Sequence, residues 1–484
     1  MGKQGFRPHP AAIFGYLSRV VYLLIIPFAR GLFLALRAGS LLAWAHGAWF
    51  DILVLLFIVG LAVVRWRLTI YRYDEKGLYL ARGLLLRRTQ FLPMKHITTL
   101  SVEYPFLLRP IRAVVLRADT TGGSARSYDF EVLVRKKDAE AALGARLCQA
   151  DPPRRAKRVY FPHSLHIAAL SAFLSNSFAG VLFASALISR AGSVFGEKLE
   201  GKVLSLLAQI SSSIELGIPP IATMLALIIL GGWFIGFVRN LLRLTRFRAA
   251  RSGRLLTITG GLVTRRTYSV DVGKVFYLDI RQSLMTRLLR IQLVFIRCTG
   301  YGKGKNEPSA LIPAATRSEL AYTLSGLLPG IRPHARTLKP RPGVWPRYLL
   351  PWLFGVPLLP GVYWAVYRLF PLWRQLSNFL FFMLWFPLGW VLALKLLDFF
   401  TAGVSNEGGI LTLRYSRGLI LHTVAVRPEH VAMLTVSQSL FQRKKDSCDL
   451  IVRTDRESHG FESSHKVKGL DRRQTVQLLG LRYS

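Results

Sequence analysis

Three arginines at one fixed place in a repeated stretch are the first residues whose chemistry draws attention: Arg109, Arg287 and Arg443. Each closes a run that opens on Thr89, Thr267 or Thr423 and carries apolar residues at matched offsets. These are Ile97, Leu100 and Val102 in the first copy, Val275, Leu278 and Ile280 in the second, and Val431, Leu434 and Val436 in the third. A guanidinium so placed can hold a phosphate or an acidic partner, or it can pair inside the fold. The pairs Arg87-Arg88 and Arg265-Arg266 precede the threonine in the first two copies, and His422 stands there in the third. All seven arginines are candidate contacts to anionic lipid or a partner. For Arg109, Arg287 and Arg443 the structural role is preferred, because repeated units depend first on the residues that build them.

No other grouping supports catalysis. Gly300-Tyr301-Gly302-Lys303-Gly304-Lys305 has the glycines and lysines of a phosphate loop but lacks the Ser or Thr after the Lys, and reads as a turn. His163 and His166 have no Glu or Cys beside them to complete a ligand set, so they read as an interfacial pair. Cys148, Cys298 and Cys448 are scattered, without the spacing of a zinc site or a disulfide framework, and read as reduced thiols. Acidic residues are sparse and lie mostly on turns, which leaves no carboxylate pair for acid–base work. The expectation is a protein that is not an enzyme and holds no cofactor or metal.

Elements must carry these residues, and composition says where they lie. The 484 residues are 51% hydrophobic and bear a formal net charge of +39. Such a balance implies an anionic partner, nucleic acid or a membrane surface. Between Arg239 and Arg347 stand 21 basic and 4 acidic residues, many beside apolar runs rather than interleaved with stacking aromatics on a strand face. That placement favours anionic lipid headgroups and argues against nucleic acid.

The apolar runs are Ala11–Leu36, Gly47–Val64, Phe161–Ser189, Gly217–Val238, Tyr348–Phe370 and Ser377–Leu397. About 20 apolar residues cross a bilayer core, so they read as about six transmembrane helices in three hairpins. Gly192–Leu216 reads as an interfacial amphipathic connector. Arg19, Arg30 and Asp51 fall inside the first hairpin and are candidate intramembrane polar residues, which keeps a transporter or export component as the alternative function. No cleavable signal peptide is expected in the first run. Basic residues crowd the junctions at Arg65, Arg67, Arg154–Arg158, Arg239–Arg251 and Lys339–Arg347. By the positive-inside rule both termini and the repeated domains face the cytoplasm of a bacterial inner membrane.

Each hairpin is followed by one copy of the repeat, which divides the chain into a tail and first hairpin (1–64), domain 1 (65–152), a second hairpin with its connector (153–240), domain 2 (241–335), a third hairpin (336–398) and domain 3 (399–484). Short β-branched and aromatic runs broken by Gly, Asp and Pro predict about seven antiparallel strands per copy. A helix closes each copy, over Lys137–Ala150, Thr316–Leu328 and Leu470–Gly480.

The hairpin-plus-β-domain unit, with Gly77-Leu78-Tyr79-Leu80-x-x-Gly83, then Pro93-x-x-x-Ile97 and Arg109, resembles the bacterial PH-like membrane-flanked domain family. The second copy has Asp271 at the Pro93 position, and the third has Pro428 one place later, with Gly418 shifted by one. The resemblance implies a PH-type fold for each domain, two antiparallel sheets closed by a C-terminal helix. It also implies a non-catalytic scaffold or interaction module linked to envelope stress or bacteriocin resistance, with another small membrane-flanked PH-like protein as a candidate partner.

Overall fold

A computed structural model describes residues 5–17, 33, 39, 49–74, 76–83, 86–122, 127–150, 158–174, 205, 220–302, 310–371, 374–454 and 464–480. Arg19, Arg30 and the connector expected at 192–216, apart from residue 205, lie outside the described residues.

Domain 1 has strands β1 (Ile70–Asp74), β2 (Gly77–Arg82) and β3 (Arg88–Pro93) in one sheet, then β4 (Ile97–Tyr104), β5 (Ala113–Thr120) and β6 (Phe130–Arg135) in another. Period-two alternation is visible in β6, where Phe130, Val132 and Val134 are buried and Glu131 is exposed. Their side chains meet Leu78, Leu80, Leu100 and Leu116 between the sheets. Domain 2 repeats the plan with β7 (Arg158–Tyr160), β8 (Arg248–Ser252), β9 (Leu255–Gly260) and β10 (Arg265–Asp271), followed by β11 (Tyr277–Gln282), β12 (Ile291–Arg297) and β13 (Ala310–Thr316). Domain 3 has β14 (Gly403–Glu407), β15 (Ile410–Arg417) and β16 (Ile420–Val426), then β17 (Val431–Ser437), β18 (Ser447–Thr454) and β19 (Ser464–Asp471). A 3-10 turn joins the two sheets in every copy, over Met94–His96, Val272–Lys274 and Pro428–His430.

The helices that flank and close the domains are α1 (Trp49–Leu68), α2 (Lys136–Ala150), α3 (Ser164–Leu174), α4 (Pro220–Leu244), α5 (Arg317–Leu327), α6 (Gly355–Leu369), α7 (Arg374–Thr401) and α8 (Arg472–Leu478). The closing helices α2, α5 and α8 stand where the sequence places them. Two have side-chain caps that explain their start: Thr316 and Glu319 form a capping box at α5, and Asp471 accepts from Gln474 N at α8.

The domains do not fold as separate sandwiches. Strand β10 of domain 2 pairs with β4 of domain 1, and β16 of domain 3 pairs with β11 of domain 2. The result is a seven-stranded sheet, β6-β5-β4-β10-β9-β8-β7, and a six-stranded sheet, β13-β12-β11-β16-β15-β14, each running across a domain boundary. A second feature concerns the strand count. In every copy a segment ahead of the apolar runs pairs with the domain that follows them: Phe6 with Tyr71, β7 with β8, and Leu338 with Val404. Each domain is therefore tied to the chain on both sides of its apolar segment.

The fold expectation needs correction in the membrane. Among the described residues two helices, Pro342–Leu369 and Leu380–Thr401, are long and apolar enough to cross a bilayer, so six transmembrane helices are not supported. Two helices of the second hairpin, α3 and the end of α4, meet protein where they approach domain 2. Helix α3 is described for 11 residues, and its Ile167 and Leu170 pack with Leu244, Leu293 and Ala314 of domain 2. The end of α4 enters the same cluster through Leu241 and Leu244. Helix α1 carries Arg65 and Arg67 in its last turn, and its Trp66 indole donates to Pro8 O at 2.9 Å.

Candidate functional site

Two loops in each domain combine basic residues with exposed apolar ones. The connection between β4 and β5 is a short helical turn over Phe106–Leu108; its counterparts are Leu284–Leu288 and Leu440–Lys444. Leu107, Leu288 and Phe441 at these tips are each about 80% exposed (84%, 79% and 83%). Three residues after the repeated arginine the backbone turns left-handed at a non-glycine in all three copies, Arg112, Arg290 and Asp446. A side-chain-bearing residue pays a steric cost in that region, so its recurrence marks a required turn geometry.

The second loop is the turn that begins at Gly83, Gly261 or Gly418. In domain 2 it leans on the end of α4: Gly261 N donates to Thr245 O at 3.1 Å and Leu262 N to Leu242 O at 2.9 Å. In domain 3 the Lys395 ammonium on α7 reaches Ser416 Oγ at 2.7 Å and Gly418 O at 3.4 Å. The turns of domains 2 and 3 are thus held against apolar helices, and Leu86, Leu262, Val263 and Leu419 on the three turns are exposed.

Arg109 joins the two kinds of loop across the domain boundary. Its Nη2 donates to Leu262 O and Val263 O, both at 2.8 Å, so the tip of domain 1 is fastened to the turn of domain 2. Between them lies a cleft of about 830 Å³. Arg109, Arg112, Lys136, Arg246, Arg248 and Arg265 line it, with Glu140 as the one acidic side chain and Tyr104, Phe161 and Phe247 as aromatic walls. Arg248 stacks over Phe161, its guanidinium 5.5 Å from the ring centroid. Six cations against one carboxylate in so small a volume repel one another, and an anion entering the cleft relieves that repulsion. Arg246 is held at positive φ, a second strained non-glycine on this wall.

The boundary beneath the cleft is held by polar contacts that range from exposed to fully buried. Glu103 accepts from Arg266 at 2.8 and 3.1 Å and from Arg117 at 2.5 Å. Lys274 donates to Lys95 O at 2.6 Å and Ile97 O at 3.0 Å, and Thr99 Oγ1 donates to Thr299 O at 2.6 Å. Arg146 on α2, almost fully buried, donates to Ile97 O and Thr98 O; burial pulls its guanidinium down to about 10, with Asp271 acting in the opposite direction. The second boundary uses a different set. His422 Nδ1 lies 3.0 Å from Asp279 Oδ1, and Arg281 Nε donates to Asp279 Oδ2 at 2.6 Å. Burial alone would raise the Asp279 carboxyl, but the hydrogen bonds and charge of His422 and Arg281 outweigh it and leave it below its usual range.

The arginines singled out by the repeat have separate fates. Arg109 and Arg265 line the cleft, Arg266 is committed to Glu103, and Arg88 lies on the outer strand β3, with Arg87 just ahead of it. Arg287 and Arg443 stand on the tips of domains 2 and 3 and take no part in this cleft. Arg112, Lys136, Arg246 and Arg248 were not singled out; Arg112 could have been, since it and Arg290 keep the same three-residue offset from the repeated arginine. Asp51 lies in α1 with its side chain outside the described atoms. The rings of His163 and His166 are 5.8 Å apart, and no cluster of metal-ligating side chains occurs among the described residues. Cys298 and Cys448 are buried and lie in no disulfide.

Comparison with known proteins agrees with the repeat's resemblance. Residues 20–147 match the family model of the bacterial PH domain. The chain is also similar to the UPF0699 transmembrane protein YdbT of Bacillus subtilis (strain 168), at 22% identity over 298 residues, covering 57% of this chain and 59% of the relative. The match thus spans less than two thirds of that relative's length. No solved structure matches significantly.

Proposed function

We propose that this chain, a YdbT-like protein of the bacterial PH-domain kind, is a non-catalytic membrane platform whose fused PH-like domains hold anionic lipid headgroups. The domains lie against the cytoplasmic face of the inner membrane, and the cleft between domains 1 and 2 takes a headgroup phosphate. The observation that carries this reading is the cleft itself: six cations, one carboxylate, and a rim of exposed Leu262 fixed to the end of α4. Cations crowd the chain junctions on the same side as the domains, which is the distribution of a cytoplasm-facing surface. Exposed Leu107, Leu288 and Phe441 beside arginines suit shallow insertion among headgroups. A role in envelope defence follows from the family resemblance alone.

The test uses the full-length protein in detergent, with retained phosphatidylglycerol and phosphatidylethanolamine measured per protein by mass spectrometry. A cation near an anionic surface contributes about 1 kcal/mol, so Arg248→Ala with Arg265→Ala weakens phosphatidylglycerol retention by about 30-fold. Phosphatidylethanolamine retention stays unchanged. Equal retention of the two lipids by the native protein, or no loss in the double variant, refutes the reading.

A further inference from the structure

The two internal boundaries are built with one register. Thr267 pairs with Val102 at the first, and Thr423 pairs with Ile280 at the second. In repeat positions these are the same pair, since each threonine opens its copy and each apolar partner lies 13 residues further along its own copy. The neighbours agree: Ser269 pairs with Leu100 and Ala425 with Leu278; Val270 pairs with Thr99 and Val426 with Tyr277. One kind of strand, represented by β10 and β16, always docks on one other kind, represented by β4 and β11.

A row of three such units leaves one edge of each kind over. Strand β3, the counterpart of β10 and β16, ends its sheet in domain 1, and β17, the counterpart of β4 and β11, ends its sheet in domain 3. Exposure shows what each has lost relative to its internal counterparts. Phe91 on β3 is 54% exposed where Ser269 and Ala425 are fully covered (0% each), and Met433 on β17 is 49% exposed where Thr99 and Tyr277 are at 1% and 4%. Strand β17, Val-Ala-Met-Leu-Thr-Val-Ser, contains no charge and no proline, the usual devices that keep an edge from pairing. It also keeps the shape of its counterpart: the ladder to the next strand is irregular between Val431 and Met433, as it is between Ile97 and Thr99 in β4.

We propose that β17 of one copy of this protein pairs with β3 of a second copy, continuing the row of PH-like domains from molecule to molecule along the membrane. The occupant is a second copy because both halves of an interface already used twice are present, free and complementary, on one chain. The shared register fixes the pairing: Thr89 opposite Val436, Phe91 opposite Leu434, and Leu92 opposite Met433. The last two set exposed Phe91 against half-buried Leu434, and exposed Met433 against Leu92, whose own side chain lies in the domain 1 core. Such an interface is heterologous, so it builds a row or a ring rather than a closed two-fold dimer.

Two differently tagged full-length copies test this, co-expressed with Cys148→Ser in both. One carries Thr89→Cys and the other Val436→Cys, and isolated membranes are oxidised. Directly opposed residues in a ladder lie within disulfide reach. The expected product carries both tags at twice 54.5 kDa. Replacing Val436→Cys by Thr435→Cys moves the thiol to the opposite face and suppresses the product at least tenfold. Within one chain, Val102→Cys with Thr267→Cys must oxidise under the same conditions, which proves folding and access. If that control forms while the two-tag product does not exceed the Thr435→Cys background, the proposal is wrong. An adduct of a different mass, joining this chain to another protein, overturns it equally.

Discussion

His465 should make domain 3 sensitive to mild acid, and the size of the effect follows from its surroundings. It sits on β19, 2% exposed, with Nδ1 sharing a 2.8 Å hydrogen bond with the Tyr415 hydroxyl and the Tyr277 ring edge-on at 4.8 Å. Burial pushes its pKa down from 6.5 to about 4; Asp279 pulls the other way, while His422 and Arg417 reinforce the fall. A histidine whose folded pKa is depressed stabilises the fold fully above its unfolded value and loses that contribution as pH falls from 6.5 through 4. At pH 5 the unfolded chain gains most of a proton that the folded domain refuses, a loss of about 2 kcal/mol, or roughly 30-fold in the opening equilibrium. Asp449 and Asp471 also titrate with folding, but their carboxyls are held below 3.8, so their contributions are lost only in stronger acid. The assay is hydrogen exchange of β18 and β19 amides in the full-length protein at pH 7.5 and 5, corrected for intrinsic rates. Native protection should fall about 30-fold more than protection in His465→Gln, whose amide can still bond Tyr415. Equal pH dependence in the two proteins would refute the reasoning.

Two further outcomes test the boundary and the turn. Glu103→Gln leaves Arg266 and Arg117 facing a neutral group in a partly buried site, and should lower stability in detergent by about 2 kcal/mol, whereas Asp74→Asn at the half-exposed pair with Arg72 should cost about 1 kcal/mol or less. A β-carbon at Gly261, where φ is +97°, would fall 2.2 Å from Thr264 O, while at Gly418 (φ +59°) it meets nothing within 4 Å. Thermal unfolding should therefore rank Gly261→Ala at about 3 kcal/mol of destabilisation and Gly418→Ala at about 1 kcal/mol.

The repeat was legible because its demands are local. Thr89, Ile97, Leu100 and Val102 recur with their spacing since each copy needs the same strand faces and the same turn, and a duplicated strand keeps its period of two. The closing helices were legible for the same reason, through their amphipathic pattern. The apolar runs were over-read. Hydropathy cannot tell a helix turn that meets lipid from one, like Ile167 to Leu170, that meets Leu293 and Ala314.

What the linear sequence determined by itself was the unit: its strands, its glycine turn, its arginine and its excess of basic charge. Tertiary structure alone decided how units join. Backbone hydrogen bonds between β4 and β10 carry no side-chain signature, so nothing in the residues announces that two sheets fuse across a boundary. The cleft arises from that fusion. Lys136 and the neighbouring Arg246 and Arg248 come from two distant segments and line one basic cleft only when the shared ladder brings domain 2 against domain 1. Charge was written in the chain, and its convergence belonged to the fold.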